Sequence, residues 1–258
     1  MTRQPKRFAK LSGERIVRSS KAGVFSIGPL AYYMHRAVPE SGAHQAGALG
    51  GFEMNHDRIK RGQFYWGGGI SFALGTLWGK TGTGRPSKSS VQDFDVQIRF
   101  GHTFWPKSQD TFYFTPFASF GYFRDINNAK PPTWVLIRNK FHFPYFGLGL
   151  IMNRFFVPWF SVGLKFQAYI MFDGKDEQRY VDFFGDPVKK RLDIDPKPQF
   201  ALEVPFTYQI KNGERGPALQ WAVFYNFRHY GERASTGGFL KENRFNIVGA
   251  KLHFTYRF

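Results

Sequence analysis

Apolar and polar residues alternate through the last fifteen residues of the chain, 244–258. The apolar positions are Val248, Ala250, Leu252, Phe254, Tyr256 and Phe258. The positions between them are Gly249, Lys251, His253, Thr255 and Arg257. Because successive side chains of a β-strand point to opposite faces, this segment predicts a strand with one apolar face and one polar, charged face.

The same period of two recurs in residues 63–79. One face carries large apolar residues, with Phe64 and Trp66 at one end and Trp78 at the other, and aliphatic residues between them. The opposite face carries small residues such as Gly67 and Gly69. Such a strand has a wide apolar face and a crowded opposite face, as expected of a narrow barrel.

Alternating segments separated by turn residues predict ten strands and no helix. They cover residues 23–37, 43–55, 63–79, 91–105, 111–125, 140–153, 157–172, 198–211, 217–230 and 244–258. Short turns follow the even-numbered strands, including an Asn-Gly hairpin turn at 211–216. The long loops are expected at 80–90, 126–139, 173–197 and 231–243.

The closing strand, with Phe254, Tyr256 and a final Phe258 on one face, resembles that of Gram-negative outer-membrane β-barrels. The resemblance implies that these three residues form the signal read by the barrel-assembly machinery. It also implies one antiparallel transmembrane β-barrel of about ten strands over residues 23–258, with short periplasmic turns, longer extracellular loops and both termini in the periplasm. Phe64, Trp66, Trp78 and Trp221 are expected in the aromatic belts at the two membrane interfaces.

A soluble barrel of the lipocalin type also alternates, but with its apolar face inward. The aromatic residues at the strand ends, the strand lengths and the final Phe favour the membrane. A mean hydropathy of −0.38 agrees with this, since only alternate residues of a membrane barrel are apolar. There is no run of 18 apolar residues, which excludes a membrane helix.

The net charge of +17 first suggests nucleic acid, but no recognition-helix pattern is present, and nucleic acid is not expected as a partner. We expect the positive charge to contact lipopolysaccharide phosphates outside, or acidic protein partners. Residues 1–22 carry seven Lys or Arg against one Glu, and we expect a flexible basic arm. They include no apolar signal-peptide core, so we expect either a mature form with an added Met1 or a protein that is not exported.

Charged residues on the predicted inward faces are the first candidate site. They are Asp93, Asp95, Arg99, Lys165, Glu203, Arg228, Lys251, His253 and Arg257. Because charges in a narrow lumen must be paired to be tolerated, a salt-bridge network that fills and stiffens the barrel is the favoured interpretation. A narrow ion or solute path and a catalytic site are the alternatives.

Two enzymatic interpretations compete with this one. A ten-stranded barrel resembles the omptin proteases, which use an Asp pair facing an Asp–His pair, and Asp93 with Asp95 and Asp193 with Asp195 occupy comparable places. No Asp-x-His follows, however, so a general base for water is missing. For a lipid hydrolase at the outer rim, His35 and His44 lie near Glu40 and Ser41.

Cysteine is absent, which excludes disulfides, zinc–thiolate sites and thiol nucleophiles. The seven His lack metal-ligand spacing, so no metal or cofactor is expected. The pattern favours a non-enzymatic role: a structural or accessory barrel that anchors an envelope protein assembly through its loops and basic arm. An outer-membrane hydrolase acting on lipid or peptide, and a narrow channel, remain the alternatives.

Overall fold

The structure, a computed structural model, describes residues 23–60, 62–106, 111–133, 138–181, 185–195, 197–210, 216–232 and 242–258. The basic arm 1–22 and most of the Asn-Gly turn lie outside these residues. Twelve strands and one 3-10 turn occur in the described residues. The strands are β1 (Gly23–Val38), β2 (Ala43–Arg58), β3 (Phe64–Lys80), β4 (Pro86–His102), β5 (Phe112–Lys130), β6 (Arg138–Val157), β7 (Phe160–Met171), β8 (Gly174–Val181), β9 (Pro187–Asp195), β10 (Pro198–Gln209), β11 (Gly216–Glu232) and β12 (Asn243–Arg257).

Ten of these strands form a closed antiparallel ring. From β1 to β7 each strand pairs with the next along the chain, β7 pairs with β10, and β10 to β12 continue in order. Pairing of β12 with β1 closes the ring, with Phe254 opposite Ile27 and Val248 opposite Tyr33. Closure leaves the sheet without a free edge, which is the barrel solution to the edge-strand problem.

The two remaining strands, β8 and β9, extend the ring at the end opposite the start of β1 and the end of β12, which we call its outer end. Strand β8 pairs with β6 where β7 has ended, and β9 pairs with the last residues of β11 beyond β10. Asp173, with a left-handed φ of 47°, separates β7 from β8. Residues 173–197, predicted as a loop, therefore contain a β-hairpin, and the strand count is twelve where ten were predicted.

The hairpin escaped prediction because its charges look like those of a loop. Two of its cross-strand pairs carry opposite charges, Lys175 with Asp193 and Glu177 with Arg191, and Lys175 Nζ lies 2.7 Å from Asp193 Oδ1. Such pairs stabilise adjacent strands without any apolar alternation. The same error applies to residues 86–90 and 126–130, which were predicted as loops and form the outer ends of β4 and β5.

The two faces of the barrel have opposite chemistry. Large apolar side chains point outward and are exposed, among them Leu148 at 59% and Trp78 at 55%. Inward residues are buried, and Arg99 is 0% exposed. This distribution is the inverse of a soluble barrel and confirms the predicted all-β, single antiparallel barrel with its apolar face outward. Among the described residues, no helix combines the length and hydropathy of a membrane span.

Outward aliphatic residues lie towards the middle of the strands and aromatic residues towards both ends. On β3, Ile70 and Leu74 lie between Trp66 and Trp78, and all four are exposed. On β12 and at the chain end, Leu252 is followed by Phe254, Tyr256 and Phe258, also all exposed. This order suits a hydrocarbon layer between two interfaces, where Trp and Tyr are favoured.

A charge in the middle of the apolar face tests its contact with lipid. We expect Leu252→Arg to lower the free energy of unfolding from lipid vesicles by about 2–4 kcal/mol, since a charge at the bilayer midplane is not solvated. Ser90→Arg, on an outward position near the outer end of β4, serves as the control with an expected cost of about 0–1 kcal/mol. Equal costs in urea titrations of the two variants would show that Leu252 does not face hydrocarbon.

Candidate functional site

Lys251 lies at the centre of a buried charge cluster in the lumen. Its Nζ is 2.7 Å from Glu53 Oε2 and 2.8 Å from Glu203 Oε2. The three residues come from β12, β2 and β10, so each carboxylate is two strands from the lysine in the ring. Lys165 on β7 is the cross-strand neighbour of Glu203. The cluster ties together parts of the wall that share no backbone hydrogen bonds.

A second ion pair crosses the lumen between β11 and β4. Arg228 Nη1 lies 2.9 Å from Asp93 Oδ2, and the Tyr32 hydroxyl donates to the same oxygen at 2.6 Å. The Arg228 guanidinium also lies 4.1 Å from the centre of the Phe123 ring. A charge-assisted hydrogen bond and a cation–π contact together compensate for the burial of this arginine.

Asp95, the next inward residue on β4, accepts a hydrogen bond from the Tyr145 hydroxyl at 2.8 Å. The Tyr145 ring passes directly over Gly121, where a Cβ would overlap the ring atoms. Glycine is therefore needed at position 121 for Tyr145 to reach across β5 to Asp95. Asp93 and Asp95 are adjacent on the inward face but have different partners.

Towards the end of the barrel where β1 begins and β12 ends, Arg99 pairs with Asp57 at 3.1 Å, and Tyr65 donates to the same carboxylate. In the amide orientation that satisfies both side chains, Gln209 accepts from Arg257 at 3.0 Å. His253 is buried, and its Nε2 has no hydrogen-bond partner in the described residues. The predicted inward residues thus do not form one network but several separate groups at different heights.

The outer half of the lumen is filled by an aromatic plug. We give this name to Phe123, Phe141, Phe143, Tyr230 and Phe245. The Tyr230 ring lies 5.3 Å from Phe141, 5.4 Å from Phe143 and 4.9 Å from Phe245. Below the plug, two cavities of 100 and 110 Å³ are lined by the charged residues around Lys165 and Glu203. Lys165 and Glu203 line both of them.

Acidic and basic residues flank the plug on opposite walls. Asp93, Asp125, Phe141 and Asp176 are successive cross-strand neighbours on β4, β5, β6 and β8. Phe245 on β12 has Arg36 and Arg228 as its two cross-strand neighbours. The Arg36 guanidinium lies between the two phenyl rings, 5.6 Å from that of Phe141 and 5.5 Å from that of Phe245.

Asp176 belongs to the hairpin, outside the membrane-spanning strands, and is fully buried. Burial raises the pKa of its carboxyl to about 6, although a hydrogen bond from Gln178 Nε2 at 2.7 Å acts in the opposite direction. Its other oxygen, Oδ1, has no hydrogen-bond partner in the described residues. A carboxyl in such surroundings favours its neutral form.

Five charged members of these groups were not predicted from the sequence. They are Arg36, Glu53, Asp57, Asp125 and Asp176. Glu53 was visible as an inward residue of the second strand, but Asp57 lies beyond the predicted end of that strand. Asp125 and Asp176 lie at a strand end and in the unrecognised hairpin. Extending the alternation past the predicted end of the second strand would have found Asp57.

The residues considered for catalysis do not assemble into a catalytic set. Asp193, on β9, forms an ion pair with Lys175, and Asp93, on β4, forms one with Arg228. Ser41 Oγ donates to the Val38 carbonyl at 3.3 Å, and His44 Nδ1 contacts the Gly42 carbonyl at 3.3 Å. No group of acidic residues and histidines that could hold a metal ion occurs in the described residues.

Removing the lysine at the centre of the first cluster leaves two buried carboxylates facing each other. We expect Lys251→Met to lower the free energy of unfolding by about 3–5 kcal/mol, the cost of a broken buried pair. Combining it with Glu53→Gln and Glu203→Gln removes the stranded charges and is expected to recover most of the loss. Urea unfolding in vesicles measures both variants, and a triple variant as unstable as Lys251→Met contradicts the electrostatic explanation.

Asp176 makes the stability of the outer end depend on pH. Its folded pKa of about 6 lies above the ordinary value, so the folded state binds the proton more tightly. Stability is therefore full below the unfolded pKa and is lost as the pH rises between about 4 and 6.

Asp176→Asn should remove this pH dependence and add on the order of 2 kcal/mol at neutral pH and above. Thermal melts of both proteins across this pH range are the measurement. Parallel pH profiles for the wild type and the variant would exclude Asp176 as the titrating group.

No protein-family model matches the chain, and no curated protein sequence matches it. Several solved structures are similar in fold to this chain. The outer-membrane protease OmpT of Escherichia coli superposes with a TM-score of 0.59 at 12% identity, over 92% of this chain and 96% of OmpT. The transport unit of the E. coli autotransporter AIDA-I gives a TM-score of 0.47 at 9% identity, over 97% of this chain and 92% of its own. A major outer-membrane protein of Thermus thermophilus gives 0.46 at 11%, over 92% and 99%. The likeness to OmpT shows the fold alone: this chain has the fold of an outer-membrane β-barrel.

Proposed function

We propose that this chain is a sealed barrel of the Gram-negative outer membrane with a structural or accessory role, anchoring or capping a larger envelope assembly. The observation that carries the proposal is the filled lumen. The aromatic plug occupies the outer half, and the charge clusters leave cavities of only 100 and 110 Å³ below it. A wall of ten strands built around such a lumen provides rigidity and two exposed ends, but no path for solutes.

Two observations support placement in the outer membrane. The outward face is apolar around the ring, with aromatic residues towards both ends of the strands. The fold is shared with OmpT. Phe254, Tyr256 and Phe258 all point outward at the end of β12, where the barrel-assembly machinery can contact them before the ring closes.

Positive charge at the outer ends of the strands supports contacts with acidic partners. Lys80, Lys130 and Arg138 lie at strand ends, and Lys189, Lys190 and Arg191 lie on the hairpin. The phosphates of lipopolysaccharide surround this end of an outer-membrane barrel. We propose that these side chains contact lipopolysaccharide and that the hairpin and loops contact protein partners.

The sealed lumen predicts an electrically silent protein. We expect the purified wild type to give no discrete conductance steps in planar lipid bilayers, while a porin inserted in parallel gives them. Flotation of proteoliposomes establishes that the protein has inserted. Reproducible single-channel steps from the wild type would replace the structural role with the channel alternative.

The accessory role predicts stoichiometric partners. Purification from native outer membranes in mild detergent, followed by mass spectrometry, is expected to recover at least one envelope protein in a fixed ratio. A barrel that is recovered alone would remove support for the accessory role. Lipid and peptide cleavage assays on that same preparation then test the hydrolase alternative.

Binding to lipopolysaccharide, if it depends on the exposed cations, must weaken with salt. We expect the affinity to fall steeply as the ionic strength rises and the Debye length shortens from about 10 Å to about 3 Å. Surface plasmon resonance with immobilised lipopolysaccharide measures this dependence. An affinity that does not change with salt would exclude the exposed cations as its cause.

A further inference from the structure

A cavity of 400 Å³ opens at the outer mouth of the barrel, beside the aromatic plug. Its walls are the outer ends of β1 to β6 and the turn that joins β3 to β4. This volume lies within the range of about 300–1,000 Å³ typical of small-molecule sites. The two lumen cavities, at 100 and 110 Å³, are too small for anything beyond a few waters.

The charged residues that line the cavity in the described part of the chain are all basic. Arg36, Lys80 and Arg85 line it together with His44, and none of the described lining residues is Asp or Glu. Deeper in the lumen, Arg99, Arg228 and Lys251 each have at least one carboxylate partner. Asp125 and Asp176 lie near Arg36 on the side of the plug, but neither is among the described lining residues. A concave site lined by cations without acids attracts an anion.

Neutral hydrogen-bonding groups line the rest of the wall, and they are held in place by one another. Gln45 donates to Ser87 Oγ at 2.6 Å and accepts from Ser89 at 3.2 Å. The Thr133 hydroxyl accepts from the Lys88 amide and donates to the Lys88 carbonyl, both at 2.9 Å. Asn139 also lines the cavity, and its buried Oδ1 has no partner in the described residues. This amide oxygen can accept a hydrogen bond from a hydroxyl group.

The two turns at the rim also fix the shape of the cavity. Thr81 accepts from the Arg85 amide through its hydroxyl at 3.2 Å and from the Gly84 amide through its carbonyl at 2.9 Å. Gly82 packs directly on Ser41, where a Cβ would lie 2.6 Å from the Ser41 carbonyl oxygen. The turn that carries Lys80 and Arg85 is therefore held against the turn between β1 and β2.

We propose that this cavity binds a phosphorylated saccharide, with Lys80, Arg85 and Arg36 binding the phosphate and the amide and hydroxyl groups of Asn139 and the Gln45–Ser87–Ser89 chain binding the sugar hydroxyls. Small apolar residues such as Ala43 and Ala129 complete the lining and suit the C–H face of a pyranose ring. The ligand has two possible sources, the phosphorylated core sugars of lipopolysaccharide or a free sugar phosphate. The proposal does not rest on the structural role of the barrel.

Calorimetric titration of the full-length protein in zwitterionic detergent at low salt tests the proposal. The probes are glucose 6-phosphate, delipidated phosphorylated core oligosaccharide, glucose and inorganic phosphate. We expect saturable one-to-one binding of at least one phosphorylated sugar, weaker binding of inorganic phosphate and none of glucose. Preference for the core oligosaccharide assigns the site to lipopolysaccharide, and preference for glucose 6-phosphate assigns it to a free metabolite.

Lys80→Gln and Arg85→Gln are each expected to weaken binding about tenfold, the loss of one charge-assisted hydrogen bond. Lys88→Gln is the matched control. Lys88 lies near the outer end of β4, but its ammonium group lies 4.0 Å from the centre of the Trp78 ring on the outer wall. Circular dichroism and heat-dependent electrophoretic mobility establish that the variants are folded.

Three results overturn the proposal. They are the absence of binding for both phosphorylated probes, equal binding of glucose and glucose 6-phosphate, and an equal loss of affinity in Lys88→Gln. The last result would indicate a general attraction to positive charge and not a site. Inorganic phosphate bound as tightly as the sugars would overturn the saccharide part, because the hydroxyl-binding groups would then contribute nothing.

Discussion

Closure of the backbone hydrogen-bond ring is the constraint on which the rest of this structure depends. In hydrocarbon an unpaired N–H or C=O group costs several kcal/mol, so a sheet can span only if its first and last strands pair. Here β1 and β12 meet along nearly their whole length. The register skips Gly28 and Pro29, which have no partner on β12. Proline has no N–H to leave unpaired, and glycine allows the close approach of the Leu252 carbonyl, so the seam tolerates this irregularity.

Closing ten strands into a ring creates a narrow interior that cannot be left to water. Several charged side chains that point inward have partners on strands that are not adjacent to their own. Lys251 reaches Glu53 and Glu203 in two directions, and Arg228 reaches Asp93 across the lumen. These contacts connect opposite parts of the wall and stiffen it. Towards the outer end the same space is filled by aromatic rings, which need no partners and exclude solvent.

The outer end differs from the rest of the molecule in both shape and charge. The β8–β9 hairpin continues the wall beyond β7 and β10, and its Asp176, Leu192 and Ile194 are buried. On the other side of this end, the outer ends of β1 to β6 line a cavity whose described charged residues are basic. The aromatic plug thus lies between the charge clusters of the lumen and this cationic cavity.

The sequence alone determined which residues face outward, because side-chain alternation in a strand is a local property with a period of two. Inward placement of Lys251, Asp93 and Arg228 followed from that period. The hairpin was missed because Lys175 and Asp193 lie in segments with no apolar period. Only the tertiary structure decided which inward residues meet, such as Arg228 with Asp93, since those contacts depend on the stagger of ten strands around a closed ring. That stagger accumulates from every pairing and is set when β12 joins β1, so a local pattern contains no information about it. The sequence therefore determined the two faces of the wall, and closure of the ring decided the contents of the lumen and the cavity at its mouth.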